Sequence, residues 1–324
     1  MEKFYFITHD NHDPYFNLAS EEYLLKQKDG FYMYLWVNAP SVIVGVNQNA
    51  IEEVNLSYTE NNSIKVVRRL TGGGAVYHDL NNVCYTVIAK RSENENLYKK
   101  FCAPVIDALK EFGITAEFTG RNDLTVNGKK ISGNAQTVYS DRVMHHGTLL
   151  FDTDTSVLAN ALNPSKLKIE SKGIKSVKSR VVNIRECLKK DMTLSEFLNK
   201  LRSKFAENCI KYDFSEQDLQ SINKLVKEKY STYEWNIGRS PKGAIKISHK
   251  YDFGIIDFNF DVVDGKVDNM HVSGDFFSTR DIKELSSLLN GVRFKRENLL
   301  LAFANVGEYI NGANAVDIVD KILS

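Results

Sequence analysis

Arg68-Arg-Leu-Thr-Gly-Gly-Gly-Ala-Val-Tyr-His-Asp79 is the densest signal in the chain, set between apolar runs at 64–69 and 83–90 that read as buried strands. Three consecutive glycines between two strands allow positive φ and close approach of backbone to a ligand. Their N–H groups can converge on an anion. Arg68 and Arg69 add fixed positive charge beside them, suited to phosphate or carboxylate. No Gly-Lys-Ser/Thr follows, so the loop is not a Walker A motif, and it is not GxGxxG. Taken alone, it also fits a glycine-rich turn with solvated arginines.

Upstream, residues 31–37 and 41–46 are β-rich and separated by Ala39-Pro40. Downstream, 95–112 has helical spacing, with Leu97, Phe101, Val105, Leu109 and Phe112 on one face and Gly113 as the stop. Asn127-Gly128 is a two-residue hairpin turn between 123–126 and 129–132. Gly120-Arg-Asn-Asp123 enters that hairpin and Lys129-Lys-Ile-Ser-Gly133 leaves it. Side-by-side arms set Asp123 near Lys130 or Ser132. A carboxylate beside a lysine fixes the ammonium and keeps it charged. A fixed ammonium can stabilise negative charge developing on a carboxylate or an α-phosphate. Adjacent hairpin lysines are also compatible with plain solvated surface. The strand at 143–151 carries His145-His146-Gly147-Thr148, open to catalytic, metal-binding or packing roles. No carboxylate or cysteine stands at ligand spacing from these histidines.

After about residue 155 the character changes. Residues 166–180 are Lys- and Ser-rich and read as an exposed connection. Thr193-x-x-Glu196 is a capping box opening a helix to about Glu207, and a second helix covers 216–230. Asn236-Ile-Gly-Arg-Ser-Pro-Lys-Gly243 is full of breakers. Strands follow at 244–249, 254–262 and 266–273, with a turn at Asp264-Gly265, then helices at 280–289 and 295–303. A boundary near 240–245 divides the chain into a larger unit, 1–243, and a small α+β unit, 244–324. The whole reads as α+β.

A length of 324 residues allows about two domains. Lys+Arg of 42 against Asp+Glu of 41 leaves +1, which argues against a broad nucleic-acid footprint. That balance conceals a local concentration: Arg68, Arg69, Lys129 and Lys130 are expected at one anion site. No apolar run is long enough for a membrane helix, and the N-terminus lacks the core of a signal peptide. Cys84, Cys102, Cys187 and Cys209 form no CxxC pair, so reduced thiols and a cytoplasmic location are expected. Cys84 reads as a small buried hydrophobe, and no GxSxG elbow is present. The remaining parts suit activation of a carboxylate as a mixed anhydride with AMP, which needs positioning and charge neutralisation rather than a protein nucleophile.

On these motifs the chain resembles the bacterial two-domain lipoate–protein ligase A family. The resemblance rests on Arg68-Arg-x-x-Gly-Gly-Gly-Ala-Val-x-His-Asp79, Gly120-Arg-Asn-Asp123, Lys130-Ile-Ser-Gly133 and His145-His-Gly-Thr-Leu-Leu150. Asn17-Leu-Ala-x-Glu-Glu22, Gln48-Asn49, Gly274-Asp-Phe-Phe277 and Gly291-Val-Arg293 add weaker support, so that it spans nearly the whole chain. It implies a biotin-protein-ligase-like catalytic domain, with mixed sheets flanked by helices, and a small C-terminal accessory domain. It implies that lipoate and Mg-ATP give lipoyl-AMP, and that the lipoyl group passes to a lysine of a lipoyl domain. Such domains belong to 2-oxoacid dehydrogenase E2 subunits or the glycine-cleavage H protein, in a lipoate-salvage role. Octanoate is a further candidate substrate, and a monomer without nucleic-acid or membrane partners is expected.

Residue by residue, the resemblance makes Lys130 the essential lysine, on the lipoate carboxylate and the α-phosphate. Arg69 matches the adenylate-contacting arginine. Gly74, Ala75, Val76 and Tyr77 match the segment lining the nucleotide and lipoyl site. Gly72, Gly73, His146 and Trp36 fall on the lipoate side, although ordinary core packing also accounts for Trp36. Asp123 is implied as a partner of Lys130, of the adenylate or of Mg2+. The nearest alternative is an octanoyltransferase or lipoyl amidotransferase of the same fold, which works through a cysteine thioester. None of the four cysteines is close in sequence to Lys130 or to His145-His146. A biotin ligase fits the Arg-Arg-x-x-Gly-Gly-Gly pattern less well, and a non-catalytic binder of lipoyl domains would not need the intact motifs.

Overall fold

The computed structural model describes residues 3–91, 97–120, 122–162, 180–238, 245–263 and 265–323. Arg121, Asp264, most of the connection at 166–180, the last five residues of the 236–243 breaker run and the boundary at 243/244 lie outside them.

The strands in chain order are β1 (Phe4–Thr8), β2 (Phe31–Val37), β3 (Ser41–Val44), β4 (Lys65–Arg68), β5 (Val76–His78), β6 (Asn82–Lys90) and β7 (Glu117–Thr119). Then come β8 (Asp123–Val126), β9 (Lys129–Tyr139), β10 (Arg142–Leu150), β11 (Ile210–Lys211), β12 (Ile245–Tyr251), β13 (Gly254–Val263) and β14 (Lys266–Gly274). One sheet has the order β11-β1-β2-β6-β10-β9-β8-β7, a second β4-β3-β5, and a third β12-β13-β14. The first is mixed: β1 runs parallel to β2 and β11, whereas β2, β6, β10 and β9 pair antiparallel in turn.

β2 and β6 are near-continuous apolar runs because both faces of the large sheet are covered. Their side chains alternate. Leu35, Val83, Tyr85 and Val87 pack with Phe101, Val105 and Leu109 of the helix Leu97–Glu111 and with Phe197 and Leu201 of the helix Leu194–Ala206. Tyr34, Trp36, Cys84 and Ile88 face the helix Pro14–Gln27 and the second sheet, with Leu18, Leu24, Ile43 and Val67. Pro14 opens that helix, and the Asp13 side chain accepts the Tyr15 N–H at 3.0 Å. Residues 216–230 depart from one regular helix. The segment Glu216–Leu225 is α-helical, and a wider turn over Val226–Tyr230 carries buried Tyr230 onto Glu22, with its hydroxyl 2.7 Å from Oε2.

The strands β12–β14 form a meander under the helices Ile282–Leu289, Arg296–Ala302 and Ala315–Ile322, with a separate core from Ile256 to Ile322. This unit meets the N-terminal part through the segment after β14. Gly274 N–H donates to Asn47 O at 2.7 Å, Gly73 N–H to Phe276 O at 3.3 Å, and Asn47 Nδ2 to Ser278 Oγ at 2.9 Å.

Candidate active site

A cavity of about 390 Å³ lies where the two N-terminal sheets meet residues 275–277, a volume suited to a small molecule. The glycine loop between β4 and β5 forms one wall through Gly72, Gly73, Gly74, Ala75 and Val76. Its path demands glycine. Gly73 has φ +90°, and a Cβ on Gly72 would meet Phe276 O at 2.5 Å. Arg69 lines the cavity from beneath the loop. Its guanidinium donates to Thr71 Oγ1, Ile43 O, Gly72 O and Gly74 O, so it scaffolds the loop as well as charging it. Burial lowers its pKa to about 10, which leaves the cation intact at neutral pH.

Arg68 does not join this site. It is fully buried and donates to Gly45 O, Val46 O, Gln48 O, Trp235 O and Asn236 O, stitching the 45–48 turn to the 235–236 segment. Successive strand residues point to opposite faces, which separates Arg68 from Arg69. Lys129 is exposed and lies outside the cavity lining for the same reason. Tyr77 also departs from the expected lining. Val76 and His78 face the cavity, whereas Tyr77 between them packs with Val42, Val44 and Ile64.

The opposite wall is the β8–β9 hairpin. Asn127 and Gly128 both have positive φ, 51° and 75°, as a tight two-residue turn requires. A register shift between Leu124 and Thr125 lets Asp123 face Gly133 while Lys130 pairs with Thr125. Lys130 Nζ reaches 2.7 Å from Asp123 Oδ1, and each side chain is about one-third exposed, 34% and 36%. Gly133 leaves the room: a Cβ there would lie 2.9 Å from Lys130 Nζ. Lys130, Asp123 and Gly133 all line the cavity.

Trp36, His146, His78 and Cys84 line the interior. Cys84 is thus near the candidate site in space despite its distance in sequence, and Cys102 Sγ lies 3.6 Å from His145 Nε2 on the other face of the sheet. Neither thiol is activated. Desolvation pushes Cys84 well above its ordinary value and Cys102 to about 11. Burial likewise holds His78 and His145 neutral, at about 3. Among the described residues no cluster of three or more His, Cys, Asp or Glu could hold a metal.

Sequence reasoning gave no site role to Asn134, Gly147, Asp275 or Phe277, which also line the cavity. A Cβ on Gly147 would overlap Asn134 Oδ1, which accepts from the Tyr85 hydroxyl. Phe277 packs against Gly73 and, edge-on, against Tyr98. The signal for Asp275 and Phe277 was Gly274-Asp-Phe-Phe277, but nothing in the sequence brings it across to residue 73.

The family described as the lipoyl protein ligase A/B catalytic domain matches residues 13–206, and that of the bacterial lipoate protein ligase C-terminus matches 240–322. The lipoate-protein ligase LplJ of Bacillus subtilis is 44% identical over 98% of this chain and 99% of its own. Lipoate–protein ligase 1 of Staphylococcus aureus is 41% identical over 94% of each. Among solved structures, P. falciparum LipL1 in complex with lipoate superposes with a TM-score of 0.79 at 27% identity, covering 99% of this chain and 98% of that one. A bi-partite lipoate protein ligase from Thermoplasma acidophilum, studied with its E2 lipoyl domain, gives 0.66 at 28% identity over 76% of this chain and 100% of that one. A lipoate-protein ligase A bound with ATP gives 0.63 at 27% identity over 74% of this chain and 99% of that one. The chain is therefore a ligase of the lipoyl protein ligase A/B family.

Proposed function

We propose that the protein activates free lipoate with ATP and transfers the lipoyl group to a lysine of a lipoyl domain. The lipoate carboxylate oxygen attacks the α-phosphorus, the bond to the β-phosphate breaks, and pyrophosphate leaves. The acceptor ε-amine then attacks the carbonyl carbon of lipoyl-AMP, the acyl–oxygen bond breaks, AMP leaves, and the amine loses a proton. Neither step needs a protein nucleophile. Both need the negative charge between carboxylate and phosphate neutralised in a fixed geometry.

The observation that carries this reading is Lys130, held 2.7 Å from Asp123 on the wall of the cavity that the glycine loop also lines. Relatives solved with lipoate and with ATP, and one studied alongside its E2 lipoyl domain, support the same substrates here. Arg69 and the Gly74–Val76 segment would serve the nucleotide, and Gly72, Gly73, Trp36 and His146 the lipoyl chain. The division at 243/244 would separate a catalytic unit from an accessory one that contributes Asp275 and Phe277. Magnesium fits as a hydrated ion carried on the phosphates, with a carboxylate oxygen of Asp123 available to it, because such ions keep waters and rarely use all-protein cages. When bound it would neutralise phosphate charge. Octanoate, with a comparable apolar tail, is a further proposed substrate, and salvage of free lipoate the proposed role. Lipoate-dependent pyrophosphate release from ATP tests the first half-reaction, and its absence from protein that still moves lipoyl groups between carriers would favour the amidotransferase.

A further inference from the structure

Six buried residues, each no more than 8% exposed, form one unbroken chain of side-chain hydrogen bonds from Trp36 to the glycine loop. Arg69 only donates, so its Nε–H donates to Thr71 Oγ1 at 2.8 Å. The Thr71 hydroxyl hydrogen is then available for His146 Nε2, 2.8 Å away. With Nε2 accepting, the ring hydrogen sits on Nδ1 and donates to Glu21 Oε1 at 2.9 Å. From the other side, Trp36 Nε1–H donates to Thr86 Oγ1 at 2.9 Å, and the Thr86 hydroxyl donates to Glu21 Oε1 at 2.5 Å. These hydrogen positions are assigned from the donor and acceptor capacities of the partners. In this arrangement every link has one donor and one acceptor, and the buried Glu21 carboxylate ends both arms.

The chain crosses the site. Trp36, His146 and Arg69 line the cavity, while Glu21, Thr71 and Thr86 stand behind them. Arg69 also holds Gly72 O at 2.6 Å and Gly74 O at 2.9 Å, so its position sets the shape of the glycine loop. Networks of this kind in a low-dielectric interior act together, because losing one link leaves a donor and an acceptor unpaired.

We propose that Thr71 and Glu21 are positioning residues that hold Arg69, and through it the Gly72–Gly74 loop, in register with the wall at Trp36 and His146. Resting on the ligase reading for the names of the two ends, filling the lipoyl end strengthens nucleotide binding at the loop.

The test uses the full-length protein, lipoate, and α,β-methylene-ATP, which cannot transfer its adenylyl group. In the wild type, saturating lipoate tightens binding of the analogue about tenfold, a typical coupling between sites. Thr71→Val reduces that ratio to near one, and Thr71→Ser restores it. In the 15N spectrum of the imidazoles, His146 Nε2 shifts in Thr71→Val, because it loses the hydrogen bond it accepts, and returns in Thr71→Ser. An unchanged ratio or an unshifted His146 signal in Thr71→Val overturns the proposal. Wild-type protein that binds both ligands with independent affinities overturns the coupling and leaves the ligase reading standing. Wild-type protein that binds neither overturns both.

Discussion

Lys130 and Asp123 meet at 2.7 Å across a hairpin whose register slips by one residue between Leu124 and Thr125. The slip matters because without it Lys130 would stand opposite Val126, and strand alternation would turn it to the face away from Asp123. The carboxylate holds the ammonium over Gly133, at the edge of the cavity. Lys130→Ala is expected to lower lipoate-dependent pyrophosphate release at least about 100-fold, the scale on which a preorganised charge acts in a transition state. Asp123→Asn keeps the ammonium but frees it, so the loss is expected to be smaller. Steady-state turnover of the two variants, with circular dichroism to confirm folding, checks the order.

Phe277 and Phe276 bring the C-terminal unit onto the glycine loop, the first through its ring and the second through its carbonyl. Gly72→Ala places a methyl group 2.5 Å from Phe276 O, a backbone atom that must move away. Both Gly72→Ala and Phe277→Ala are expected to raise KM for lipoate or ATP while the protein stays folded. Unchanged KM values in both would separate this contact from the reaction.

Cys84 lines the cavity, yet its thiol is pushed well above the ordinary range by burial. Only the thiolate is a competent nucleophile. Cys84→Ala is therefore expected to retain activity within about threefold, since the unreactive thiol contributes packing and weak sulfur contacts with Asn82 and His78 rather than chemistry. Complete loss with the fold intact would revive a thioester route.

The hairpin, its Asn127-Gly128 turn and the Lys130–Asp123 pairing were legible because turn chemistry fixes local register. The strand β6 and the helix Leu97–Glu111 were legible from apolar pattern. Arg68 and Tyr77 were not, because adjacent positions of a short strand face opposite sides and sequence does not say which side holds the ligand. Distance along the chain separates Cys84 from the site motifs, whereas antiparallel pairing of β6 with β10 sets it opposite Thr148 in the site. The helix Pro14–Gln27 carries its signals at Asp13-Pro14, but it is buried almost all round, so no amphipathic stripe announces it. Phe277 depends on docking between two cores, which no local pattern encodes.

His9, His78 and His145 are held neutral mainly by desolvation, at about 4, 3 and 3, against an ordinary 6.5. Below 6.5 the unfolded chain takes up protons that the folded chain refuses, so stability falls as pH drops through that window. Moving from about pH 7.5 to about pH 5 is expected to cost up to about 2 kcal/mol per histidine, and so to lower the urea midpoint. An equal or higher midpoint at the acid pH would contradict this burial.

Pyrophosphate release from ATP, measured with and without free lipoate, tests the central claim most directly. Wild-type protein is expected to release pyrophosphate only when lipoate is present, with Lys130→Ala inactive under the same conditions. Release that ignores lipoate, or that persists at the wild-type rate in Lys130→Ala, would contradict the account.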